Sequence, residues 1–124
     1  PLLDRIDLFV EVARPTMVVI PGQGRIGESS AAVRKRVLTA RSIQLERQGV
    51  NNGRLRTEAV AKHCRLNSGD RNFFENAASQ LSLSPRGCQR VLKVARTVAD
   101  LDGAEDITRK HLSESIGFRQ PGRS

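Results

Sequence analysis

The stretch SPRGCQRVLKVARTVADLDG, residues 84–103, limits the possible folds more than any other part of the chain. Ser84 suits an N-cap, Pro85 suits the first helical position, and Gly103 falls just past the natural end, so both helix termini are specified locally. Cys88, Val91, Val94, Ala95, Val98 and Ala99 lie on one wide apolar face. A face that wide must be covered by other helices. The opposite face carries Arg86, Arg90, Lys93 and Thr97 at offsets of i, i+4, i+7 and i+11, which makes one basic stripe.

The rest of the chain supplies that cover. ESSAAVRKRVLTARSIQLERQG has two serines available for its cap and stops at Gly49. NNGR reads as a break. Thr57 is expected to cap TEAVAKHCRL, and Ser68 or Asp70 to open a helix with Phe73, Phe74, Ala77, Ala78 and Leu81 on one face. Thr108 caps TRKHLSESIGF, with Ile107 placed to staple onto Leu112. With 38% hydrophobic but only 3% aromatic residues, the core is built of Leu, Val, Ile and Ala. That favours a mainly α domain of about five helices and argues against single-strand binding by aromatic stacking.

One segment stands apart. In PLLDRIDLFVEV, Leu8, Val10 and Val12 alternate with Asp7, Phe9 and Glu11, the pattern of a strand. A strand needs a neighbour, and none follows in the right place. The chain is therefore expected to be a C-terminal piece of a larger protein, its first strand left over from an α/β core. Residues 13–27, rich in Pro and Gly, are expected to be a largely mobile loop.

The net charge of +8 and pI of about 11.0 favour a polyanionic partner. Two cysteines, with no signal peptide and no long apolar run, point to a reduced, cytoplasmic protein without a membrane span. Gly22-Gln23-Gly24-Arg25-Ile26-Gly27 satisfies G-x-G-x-x-G, but Pro21 precedes it, no second parallel strand follows, and the acid near the expected distance, Glu46, lies within a helix. It reads as a loop. His63, Cys64, Cys88 and His111 match no zinc spacing, so no metal site is expected and the cysteines are assigned to packing. The P-loop pattern is absent, and the chain alone is expected to hydrolyse nothing.

Two arginines remain. Arg86 falls in the first turn of its helix, where free N–H groups already favour an anion, so a cation there needs a phosphate or a carboxylate to meet it. Arg5, between Asp4 and Asp7, is either a balanced surface residue or an arginine offered to a phosphate.

The phrases PLLDRIDLFVEV, GESSAAVRKRVLTARSIQLERQ, KHCRL, LSPRGCQRVLKVARTVADLDG and ITRKHLSESIGFR, in that order, resemble the C-terminal region of magnesium-chelatase-like AAA+ ATPases of the ComM/YifB group, relatives of the MCM helicases. The resemblance covers nearly the whole chain, with Phe9 standing where that family has His. It implies an arginine finger at Arg5, acting in trans on a neighbouring subunit, and a sensor-2 residue at Arg86. The basic stripe itself offers phosphate or DNA contacts at Arg90 and Lys93. Residues 1–27 would end the ATPase core, 28–120 would form the helical lid and 121–124 a tail. The parent would use ATP and Mg2+, with none bound by this piece alone, and would work as a homo-oligomeric ring, a hexamer, that remodels DNA in recombination or natural transformation. Its partners would be the upstream ATPase core, other copies and DNA. The alternative is a stand-alone basic helical nucleic-acid-binding module, for which TEAVAKHCRLNSGDRNFF would serve as a helix-turn-helix.

Overall fold

A computed structural model describes residues 5–10 and 28–119. The second stretch forms five α-helices: α1 Ser30–Gln48, α2 Thr57–His63, α3 Ser68–Gln80, α4 Pro85–Leu101 and α5 Arg109–Gly117. The mainly α architecture is the expected one. Among the described residues there is no strand, and residues 6–10 carry no regular structure. The strand expected over 7–12 is thus not formed at residues 7–10, because no described segment offers it a ladder. Glu11 and Val12, the loop 13–27 and its glycine motif lie outside the described residues.

The helix ends show which caps local chemistry decides. Ser29 accepts the Ala32 N–H at 3.1 Å to start α1, and Gly49 ends it at φ 80°, a left-handed conformation that disfavours a side chain. Ser84 accepts the Gly87 N–H at 3.0 Å with Pro85 behind it, and Gly103 sits at φ 72°, as expected for α4. Two expectations need correcting. Thr57 is the first residue of α2 rather than its cap, and its hydroxyl accepts instead from Gln89 Nε2 of α4 at 3.2 Å. The cap of α3 is Asn67, whose Oδ1 accepts the Asp70 N–H at 2.7 Å.

At α5 the third helical position is His111, where a capping box usually has Glu or Gln. Its Nδ1 accepts the Thr108 backbone N–H at 3.0 Å, so the proton sits on Nε2, which donates to Asp102 Oδ2 at 3.0 Å. That bond, and then the charge of Lys110, holds the Asp102 carboxyl below its ordinary value.

α4 is the spine, touching α1, α2 and α5, while α3 packs on α5. Val91, Ala95 and Ala99 of its apolar face join Leu55, Val60, Cys64, Phe74, Ile107 and Leu112 in one buried cluster. The Ile107–Leu112 staple is buried as expected, at 2% and 0% exposure. Ser115 of α5, also buried, donates from Oγ to the Val91 carbonyl at 2.6 Å and pins α5 to the spine. α1 is different. Residues 30–39 are exposed throughout, Val33, Val37 and Leu38 included, and burial starts at Ala40 and Gln44.

The NNGR break is more than a break. Asn52–Arg54 is a single 3-10 turn, and Asn52 is only 2% exposed. Its N–H donates to Gln44 Oε1 at 2.9 Å, and its Nδ2 donates to Thr97 Oγ1 and Asp100 Oδ2, each at 3.0 Å. Its Oδ1 accepts from Arg47 Nη2 at 3.0 Å and Gln48 Nε2 at 2.7 Å. Asp100, 3% exposed, also takes a two-pronged bond from Arg47 (2.8 and 3.2 Å) and an ion pair from Arg96 at 3.2 Å. This hub joins α1, the turn and α4 where no apolar residue could.

Candidate functional site

Arg86 is exposed at the second position of α4, and the first turn contains no acidic residue. Pro85 has no N–H and Ser84 already takes the one from Gly87, so the Arg86 N–H is the remaining free donor of the opening turn. None of the ion pairs among the described residues involves Arg86. The Arg119 guanidinium lies against the same turn, its Nη2 3.7 Å from where a Cβ on Gly87 would stand. An exposed guanidinium beside a free backbone donor at the positive end of a helix dipole suits an anion; the Arg119 guanidinium is only 8% exposed and is engaged with the Ile6 carbonyl.

Arg5 is exposed too. Asp7, the neighbour expected to balance it, is taken instead by Arg90 in an ion pair. Lys93 donates to the Gly53 carbonyl at 3.3 Å, and Thr97 donates back to the Lys93 carbonyl at 2.9 Å while receiving the Asn52 bond. The basic stripe is therefore divided: Arg86 faces outward, Arg90 reaches the opening segment, and Lys93 and Thr97 face the 3-10 turn. Arg119, which the sequence reading did not single out, is brought to Gly87, the residue after Arg86, by the turn after α5. No local signal marks it.

No three His, Cys, Asp or Glu side chains converge as a metal would require among the described residues. Cys64 is buried in the core cluster and Cys88 packs on its edge. Burial pushes the Cys64 thiol from 9.0 up to about 11, with Arg96 and Arg47 nearby pulling the other way. Burial likewise raises Cys88, and it lowers His63 together with Lys62, Arg47 and Arg96. A folded-state thiol raised above its unfolded value stabilises the fold below pH 9 and stops doing so as pH climbs to 11. The loss is about 2–3 kcal/mol. Denaturant titrations of wild type and Cys64→Ala across that interval should give a steeper alkaline decline for wild type; parallel curves would show that Cys64 ionises freely.

The fold and this turn define a small helical domain that presents one exposed guanidinium, Arg86, at the start of its central helix. Residues 27–119 match the family model described as magnesium chelatase, subunit ChlI C-terminal. The chain is 44% identical over 119 residues to the competence protein ComM of Haemophilus influenzae, a match covering 96% of this chain and 23% of the relative. It is 42% identical to the YifB proteins of Salmonella typhimurium and Escherichia coli, over 96% of this chain and 24% of theirs. The chain belongs to this family of magnesium chelatase C-terminal domains, in its ComM/YifB branch. It spans about a quarter of the length of these relatives. No helix among the described residues is long and apolar enough to cross a membrane.

Proposed function

We propose that this chain is the sensor-2 lid of an AAA+ ATPase that couples ATP hydrolysis in a ring to the remodelling of DNA. The observation that carries the reading is Arg86: an exposed cation in the first turn of α4, with no acid in that turn and a free backbone N–H beside it. Such a turn suits terminal phosphate oxygens, whose charge changes when a phosphoryl group leaves. An arginine held there stabilises that charge, and a lid carrying it follows the phosphate's departure. Arg5 fits the partner role, a guanidinium offered to the phosphoryl group in a neighbouring subunit. The nucleotide and Mg2+ would be held by residues beyond this chain, which has no P-loop pattern of its own.

DNA as the client is supported by the +8 charge and by the name of one relative, a competence protein. The test is steady-state ATP turnover of the full-length polypeptide as wild type and Arg86→Ala. The substitution is expected to cut the rate at least about tenfold, a modest share of what arginine contacts to phosphoryl groups contribute. An indifferent Arg86→Ala variant, coupled with lost DNA affinity in this chain, would favour the stand-alone nucleic-acid-binding module.

A further inference from the structure

Residues 6–10 are tied to the helical domain by groups that adjoin Arg86. Arg90, one turn after Arg86 on the same face of α4, forms the ion pair with Asp7. Arg119 donates from Nη1 to the Ile6 carbonyl, while its Nη2 lies against Gly87, the residue after Arg86. The same guanidinium sits over the Phe9 ring, 6.0 Å from its centroid. The Phe9 N–H donates to the Phe118 carbonyl at 2.6 Å, one residue from Arg119. Both cations thus reach from the opening of α4 to the residues that flank Arg5.

The two ties differ in kind. Arg119 is 8% exposed and grips backbone, so its hold does not depend on the side chain at position 6. The Arg90–Asp7 pair is half-exposed, with side-chain exposures of 29% and 57%. A pair in that setting adds little to folding but can set where a short segment points.

We infer that Arg90 and Arg119 are positioning residues that hold the Arg5 segment against the first turns of α4, so that Arg5 and Arg86 move as one unit. This rests on the roles proposed above for those two arginines. A lid movement that follows phosphate at Arg86 then displaces Arg5 at the same moment, tying the two contacts of one chain into a single step. It also makes Arg90 an internal strut rather than a phosphate or DNA contact.

The test is ATP turnover of full-length Asp7→Arg, Arg90→Asp and the double charge swap, beside Arg5→Ala and Arg86→Ala. Each single reversal is expected to lower kcat about tenfold while leaving KM for ATP within about twofold, since a small misplacement of a catalytic group lowers rate more than binding. The swap is expected to restore most of the rate, which a purely structural role at either position would not produce. All five variants should keep the wild-type melting temperature. Normal rates in both reversals, with Arg5→Ala slow, would overturn the inference alone. A slow Arg90→Asp that the swap does not rescue, with Asp7→Arg normal, would also overturn it and make Arg90 a direct contact. Wild-type rates in Arg5→Ala and Arg86→Ala would instead remove the reading on which it rests.

Discussion

Asp100→Ala is expected to lower the folding stability of this domain by about 3–5 kcal/mol, the usual cost of stranding a buried charge. Asp100 is the one carboxylate between Arg47 and Arg96 and also accepts from Asn52. The two arginines would respond differently to its loss. The Arg47 side chain is 23% exposed and can turn toward water. The Arg96 side chain is 5% exposed and cannot; its Nη2 would keep the Ala104 carbonyl at 3.1 Å, and its Nε has no partner even now. Small domains are held by about 5–15 kcal/mol, so the variant should melt far earlier or fail to fold. Asp100→Asn keeps the shape without the charge and should lose nearly as much. Chemical denaturation of both variants, with Arg47→Ala and the double variant to close a cycle, checks this. A loss under about 1 kcal/mol would mean that the hub is hydrated and dispensable.

Arg5→Ala should have the second large effect, and on rate alone. Its side chain is exposed, and Asp7 is engaged by Arg90, so no contact among the described residues is lost with it. Surface changes of that kind move stability by no more than about 0.5 kcal/mol. Under the proposed function, ATP turnover by the full-length ring should nevertheless fall on the order of 10³-fold, the lower range for arginine fingers. Nucleotide binding should persist, because the finger acts on charge that develops during transfer. Single-turnover kinetics with a fluorescent nucleotide separate the two. Equal loss of binding and turnover would place Arg5 in nucleotide affinity instead.

Much of the fold can be read from the chain where the deciding chemistry is local. Ser84, Pro85 and Gly103 mark α4 because each acts on its own turn. Thr57 reads as a cap, yet its hydroxyl is engaged by Gln89, 32 residues away. Asn67 is passed over because Ser68 and Asp70 beside it are equally capable on paper. The hub is hidden for a related reason. Asn52 meets Asp100 across 48 residues, and NNGR alone looks like any turn. One clue is present: Arg96 and Asp100 directly follow Ala95 and Ala99 and so border the face that must be buried, and their i,i+4 pair is not a surface pair. At the site, Arg86 shows itself as a cation at the wrong end of a helix. The hold of Arg119 on Ile6, 113 residues apart, has no trace in the sequence.

Helix α1 is uniform in geometry but not in what maintains it. From Ala40 onward it is fastened through Gln44 and Arg47 to the hub, so those turns open only when the domain does. Its outer half has its own ladder, the Ser29 cap and the exposed Glu28–Arg36 pair. A helical segment of that length is marginal in water when nothing covers it. The free energy of opening therefore falls along one continuous helix, from the global value at its C-terminal end to little at its start. Mechanically, α1 is a stiff root with a soft tip, and a surface that covered Val33, Val37 and Leu38 would lengthen the stiff part turn by turn.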